Sequence, residues 1–92
     1  MLTFVIDCRG VASEAEFWAR YVEAVQPEGA ERFGRSPHAF WDAVERGGPG
    51  WPGECALHFA HAHELRGLEG GTFLERLRAI ARDAMSAGIR LG

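Results

Sequence analysis

Glu54-Cys55-Ala56-Leu57-His58-Phe59-Ala60 carries apolar side chains at Cys55, Leu57 and Phe59, the period-two pattern of a strand with one face turned into a core. On its N-terminal side lies Gly47-Gly48-Pro49-Gly50-Trp51-Pro52-Gly53, too rich in Gly and Pro for a regular element and therefore a loop. Before that loop, Ser36 is placed to cap a helix and Pro37 to fill its first position, where a missing N–H is no loss. Earlier still, Ser13-Glu14-Ala15-Glu16 has the form of a capping box and opens a helix expected to run to about Val25. Phe17, Tyr21 and Val25, with Trp18 and Val22 alongside, give that helix a wide apolar stripe, and Pro27 and Gly29 end it. The apolar run Leu2 to Asp7 reads as a first strand. On the C-terminal side, His61 to Gly71 suggests irregular chain or a short helical turn. Thr72-Phe73-Leu74-Glu75 has the form of a second capping box, and Phe73, Leu77, Ile80 and Ala84 follow at helical spacing. Gly88 fits the position just past that helix, and Ile89 to Leu91 supplies a short third strand.

The order is thus strand, two helices, strand, one main helix, strand. Helices between strands favour parallel pairing, because parallel neighbours need crossover connections. The expected fold is α/β, a small three-stranded parallel sheet packed with helices.

The 92 residues are expected to form a single domain over 1–92, in which every sizeable apolar segment serves one core. With 47% hydrophobic and 25% charged residues, the composition is that of a soluble globular protein rather than a disordered one. A net charge of −3 weighs against direct nucleic-acid or membrane binding and leaves a basic protein partner open. The amino terminus lacks the pattern of a secretory leader, and no stretch approaches the roughly 20 apolar residues of a membrane span. The expected compartment is the cytoplasm. Cys8 and Cys55 form no CxxC motif or disulfide framework and are expected as free thiols, with Cys55 buried.

The helix opened by Ser36 carries the most suggestive surface. Pro37, Phe40 and Val44 fall on one face, and His38, Trp41, Asp42 and Glu45 mostly on the other. An aromatic beside a carboxylate suits docking onto a basic cleft. The plainer reading of Asp42 is a solvated acid interacting with His38 or Arg46 at four-residue spacing. Trp41 could equally lie at the edge of the core, Phe33 and Gly34 could simply shape the loop, and Arg32 and Arg35 could be solvated. His58, His61 and His63 lack a cysteine pair or carboxylate set to complete a metal site, and nothing marks Cys8 or Cys55 as an activated nucleophile. No metal, no cofactor and no catalytic residue is expected.

Phe33-Gly34 followed by Phe40-Trp41-Asp42, the order of elements, the strand with Leu57 and Phe59, and Arg82-Asp83-Ala84-Met85-Ser86-Ala87-Gly88 before a short last strand together resemble the barstar family of intracellular ribonuclease inhibitors. The resemblance spans nearly the whole chain. It implies a non-enzymatic inhibitor or immunity protein that plugs the active site of a small secreted bacterial-type ribonuclease, or a related toxin nuclease, with the Trp-Asp helix and the loop before it. Carried over to this sequence, Asp42 matches the principal acidic contact, Trp41 its aromatic neighbour, Gly34 the turn glycine and Asp83 an acidic contact on the last helix. The implied partner-binding set is Arg32, Phe33, Gly34, Arg35, His38, Trp41, Asp42, Glu45 and Asp83. The chemistry agrees with this role, since a ribonuclease cleft concentrates cations for phosphate and a carboxylate can occupy the phosphate position.

Three positions depart from the family pattern. His38 stands where a carboxylate is frequent, Arg32 where tyrosine is common, and Ala87 where a second acid can occur. These changes reduce the negative field around Asp42 and point to a different target nuclease, weaker binding, or an immunity-type partner that has diverged. The alternative function is a diverged interaction module that keeps the fold and binds a non-nuclease protein.

Overall fold

Three parallel strands, β1 (Leu2–Asp7), β2 (Cys55–Ala60) and β3 (Gly88–Leu91), lie in the order β1-β2-β3 in a computed structural model that describes residues 2–92. The three main helices are α1 (Glu14–Val25), α2 (Pro37–Arg46) and α3 (Thr72–Asp83). Short 3-10 segments cover Ala30–Arg32 and Ala62–Gly71, the second broken where Leu68, Glu69 and Gly70 leave helical geometry. The α/β architecture with a three-stranded parallel sheet is the one the alternation of strands and helices predicts.

Registry explains how the sheet feeds one core. Phe4 pairs with Leu57 and Ile6 with Phe59, while Leu57 pairs with Ile89 and Phe59 with Leu91. Side chains in register share a face, so these six residues line up beneath the helices. Cys55, Leu57 and Phe59 are buried and the intervening Ala56, His58 and Ala60 only partly so. Glu54 lies just outside β2.

The core is dominated by aromatic rings. Phe17 stacks on Phe59 with ring centroids 5.3 Å apart and meets Phe73 edge-on at 4.9 Å, while Trp18 lies 5.5 Å from Phe40. Offset and edge-on pairs of this kind contribute about 0.5–1.5 kcal/mol each beyond the area they bury. Their polar atoms are satisfied within the fold. The Trp18 indole N–H donates to Glu14 Oε2 at 3.0 Å, and the Tyr21 hydroxyl donates to the Gly50 carbonyl at 2.8 Å. Arg20 Nη1 donates to the carbonyls of Asp7 and Arg9 at 2.7 and 3.1 Å, fastening the end of β1 to α1. Cys8 and Cys55 are both buried and unbridged, and burial pushes the Cys8 thiol up to about 12.

The helix ends correct the sequence reading in three places. At α1, Ser13 Oγ accepts from the Glu16 N–H at 3.1 Å, but the Glu16 carboxylate reaches past the cap to the Ala12 N–H at 2.7 Å. At α3 no capping box forms. Thr72 is already helical, the cap position falls to Gly71 at φ +96°, and the Thr72 hydroxyl donates to the Glu69 carbonyl at 2.7 Å. Left-handed Gly70 and Gly71 turn the chain into the helix one residue earlier than the Thr-x-x-Glu pattern suggests. Helix α3 also stops at Asp83, with Ala84 extended, so Gly88 opens β3 rather than closing the helix.

Candidate functional site

Helix α2 is sharply bounded at both ends. Ser36 is extended and its Oγ accepts from the Ala39 N–H at 3.1 Å, with Pro37 in the first turn. Gly47 adopts φ +70°, and the Gly47 and Gly48 N–H groups return to the carbonyls of Ala43 and Asp42 at 3.2 and 3.3 Å. Between these caps, Phe40, Ala43 and Val44 are buried, which fixes the rotation of the helix and leaves His38, Asp42 and Arg46 along its outer side.

The chain enters α2 through a tightly packed loop. A Cβ on Gly34 would sit 3.0 Å from the Ala39 Cβ, closer than an ordinary contact, so an added methyl would push the loop a few tenths of an ångström away from the first turn. Arg35 takes φ +52°, a left-handed conformation that costs a non-glycine residue about 1–2 kcal/mol. Phe33 is not a surface residue. It is buried, edge-on to Trp18 at 5.4 Å and tilted against Tyr21 at 5.7 Å. Arg32 is exposed, at 4.0 Å from Glu31, and borders a shallow hollow with Glu28, Gly29, Pro49 and Trp51.

Trp41 combines both roles weighed for it from sequence. It is half-buried against the core, and with Pro37, His38, Arg76, Ala79 and Ile80 it lines an open groove between α2 and α3. The Asp42 side chain is 40% exposed and stands 3.7 Å from His38 Nε2 and 3.9 Å from Arg46 Nε, one turn before and one turn after it. Such exposed pairs at four-residue spacing contribute only about 0.3–0.5 kcal/mol each, so an incoming cation can displace them. Asp83 is exposed and paired with its neighbour, Arg82 Nε lying 3.0 Å from its carboxylate. The hydrogen bond from Arg82 holds the Asp83 carboxyl below its ordinary value.

Glu45 is occupied within the fold. Its Oε1 accepts from the N–H groups of Met85 and Ser86 at 2.7 and 2.9 Å, and its Oε2 lies 3.5 Å from the Ser86 hydroxyl. The structure therefore gathers His38, Trp41 and Asp42 on one side of α2, sends Glu45 to the turn after α3, and separates Phe33 from solvent. Met85, which entered the sequence reading only as part of the Arg82 to Gly88 pattern, is 91% exposed, the highest value among the large apolar residues described.

The histidines outside this region have local partners. His61 Nδ1 lies 3.3 Å from Asp7, His63 Nε2 lies 3.9 Å from Glu64, and His58 lies between Arg90 at 3.2 Å and the Gly92 carbonyl at 3.0 Å. Among the described residues, no three His, Cys, Asp or Glu side chains form a group that could hold a metal ion.

This arrangement, an acid and an aromatic on a capped helix beside a three-stranded parallel sheet, coincides with a family match that covers residues 1–90, to barstar (barnase inhibitor). The chain belongs to the barstar family. Members of that family are inhibitors rather than enzymes, and their partner is a ribonuclease. No curated protein matches the chain. No helix among the described residues is long and apolar enough to cross a membrane.

Proposed function

We propose that this protein inhibits a small secreted ribonuclease or related toxin nuclease by laying α2 across its basic cleft, acting as an immunity protein in the cytoplasm of the producing cell. Asp42 takes the place of substrate phosphate and Trp41 packs beside it. Arg32, Gly34, Arg35, His38 and Asp83 form the surrounding contact surface, with Phe33 supporting the loop from within. The mechanism is occlusion by a single domain over 1–92 and uses no catalytic residue and no cofactor.

The observation that carries this reading is the accessible Asp42 carboxylate next to half-buried Trp41, on a helix whose opposite face is fully committed to the core. Two charges 4 Å apart attract by roughly 4 kcal/mol at an effective dielectric of 20, before desolvation is subtracted. That attraction is several times the roughly 0.3–0.5 kcal/mol of each solvated contact with His38 or Arg46, so a nuclease arginine displaces them where further hydrogen bonds to the Asp42 carboxylate offset desolvation.

The test is RNA cleavage by barnase and a panel of other small bacterial ribonucleases with and without the purified protein. Stoichiometric inhibition of at least one, with association slowing as salt rises, is expected; full cleavage by every nuclease in the panel would remove the proposal.

A second reading, a module that binds a non-nuclease partner, is favoured by the side chains that already pair with the acids: His38 and Arg46 beside Asp42, and Arg82 beside Asp83. Capture of a non-nuclease from the native host by a protein whose binding survives Asp42→Ala would select it.

A further inference from the structure

We infer that β1 is a self-association edge: two copies of this chain pair their β1 strands antiparallel, Thr3 of each opposite Val5 of the other, and extend the three-stranded sheet to six strands. This inference stands on the sheet alone and does not depend on the inhibitor reading.

The backbone of β1 has one bonded side and one open side. The Cys8 N–H donates to the Ala60 carbonyl at 2.8 Å, in a register where Asp7 pairs with Ala60 and Ile6 with Phe59. Successive residues of a strand direct their N–H and C=O groups to opposite edges. Phe4 and Ile6 therefore bond to β2, while Thr3, Val5 and Asp7 direct theirs away from it, at the edge of the sheet. The Asp7 end of that edge is closed from within, because Arg20 Nη1 donates to the Asp7 carbonyl at 2.7 Å. The Thr3 and Val5 N–H and C=O groups are met by no hydrogen bond among the described residues.

Sheet edges are ordinarily kept from pairing by shortness, charge, proline or a bulge. The opposite edge, β3, is only four residues long and bears Arg90. Leu2–Ile6 has no charge and no proline, and its register with β2 runs without a bulge. The same stretch leaves Leu2 68% and Val5 57% exposed. Leu2 lies on the helix-side face with Phe4 and Ile6, and Val5 on the open face with Thr3.

A second copy of β1 answers all of these features together. With Thr3 opposite Val5, the strands exchange backbone hydrogen bonds about a two-fold axis at Phe4 and make no use of the Asp7 carbonyl that Arg20 holds. Leu2 then lies opposite Ile6 of the second copy and Val5 opposite its Thr3, so each exposed aliphatic gains a cross-strand neighbour. The nearest charged groups, Asp7 and Arg9, lie beyond the paired segment and are 3.3 Å from each other, so no like charges face across the pair. The contact is isologous and closes at the dimer. One short strand per copy makes a small interface, below about 1,200 Å², which places the equilibrium in the micromolar range or weaker. Because each copy carries a net charge of −3, added salt strengthens the dimer by screening repulsion.

The test is sedimentation equilibrium and amide hydrogen exchange from micromolar to millimolar protein on wild type, Val5→Lys, Val5→Pro and Met85→Lys. The wild-type mass is expected to rise from 10.1 kDa toward twice that value, more so at high salt. The Thr3 and Val5 amides, fast in dilute protein, should slow at least about tenfold as the dimer fills, while those of Phe4 and Ile6 stay slow throughout. Val5→Lys puts a cation on the edge of each copy, and Val5→Pro removes an N–H that points away from β2; both should stay monomeric at concentrations where wild type pairs. Val5→Lys decides the matter if Val5→Pro does not fold, thermal midpoints being measured on every variant. Met85→Lys, which removes an exposed apolar side chain away from β1, should pair as wild type does. A wild-type mass fixed at 10.1 kDa, pairing by Val5→Lys equal to wild type, or loss of pairing in Met85→Lys overturns the inference. Growth beyond the dimer, or Thr3 and Val5 exchange that does not respond to concentration, overturns it as well.

Discussion

Gly50→Ala should be among the most damaging single-methyl additions in this protein, because the added Cβ has no space. Built on the backbone, it would lie 2.5 Å from Phe33 Cδ1 and 2.8 Å from Phe33 Cγ. The ring cannot swing away cheaply, since it is buried against Trp18 and Tyr21. Moving the loop instead stretches the 2.8 Å hydrogen bond from the Tyr21 hydroxyl to the Gly50 carbonyl. Overpacking a well-packed site costs about 1–3 kcal/mol, and loss of the hydrogen bond costs about 1 kcal/mol more. The φ of +96° at Gly50 adds a further conformational penalty of about 1 kcal/mol. A loss of about 3–5 kcal/mol follows, a large share of the roughly 5–14 kcal/mol that holds a domain of this size. Gly53→Ala is the control, since Gly53 lies in the same loop at φ +86° with nothing within 4 Å of its added Cβ. Urea unfolding followed by circular dichroism should place Gly50→Ala at least about 2 kcal/mol below Gly53→Ala. Phe33→Leu should relieve part of that difference in the double variant. Equal stability of the two alanine variants would refute the claim that Phe33 locks the loop beneath α2.

Tyr21→Phe removes only the hydroxyl and should cost about 1 kcal/mol, lowering the thermal midpoint by roughly 4–8 °C; an unchanged midpoint in a thermal scan would show that the bond to Gly50 contributes nothing. Asp7 is held below its ordinary value of 3.8, first by the Arg9 backbone N–H, and also by the charges of Arg9 and His61, against an opposing desolvation effect. Its folded pKa is depressed, so its contribution is present above the unfolded value and is lost as pH falls through the folded one. Asp7→Asn should therefore destabilise the protein at pH 7 and much less at pH 2–3, checked by urea unfolding at both; an equal loss at both would contradict this. Cys8 and Cys55 should resist a thiol reagent at pH 8 in the native protein and react fully in denaturant, since both are buried and burial raises both thiols; rapid native labelling would contradict the packing at β1 and β2.

The sheet and the three helices were legible because their signals are local. Alternation at Cys55, Leu57 and Phe59, and the stripe at Phe17, Tyr21 and Val25, each report which way a short segment faces. The start of α3 misled because Thr72 and Glu75 have capping chemistry, whereas left-handed Gly70 and Gly71 set the actual turn. Phe33 sits between arginines and glycine in sequence, and only the packing of Trp18 and Tyr21 draws it inside. Glu45 is similar in kind. As a helical glutamate beside Arg46 it reads as a surface charge, and its partners at Met85 and Ser86 lie about 40 residues away, beyond any spacing rule. The candidate role of Asp42 came from the family resemblance, since an exposed acid between His38 and Arg46 has no local property that distinguishes it from a solvated one.

The most direct test of the account is the inhibition constant of Asp42→Ala against a nuclease that the wild-type protein inhibits, paired with the thermal midpoint of the free variant. Exposed ion pairs contribute at most about 1 kcal/mol to folding, so the midpoint should fall by no more than about 8 °C. Truncating one partner of a desolvated charge pair costs about 2–5 kcal/mol, so the inhibition constant should rise by roughly 30- to 5,000-fold. Inhibition by Asp42→Ala within about threefold of wild type, in a folded protein, would contradict the assignment of Asp42 as the phosphate mimic.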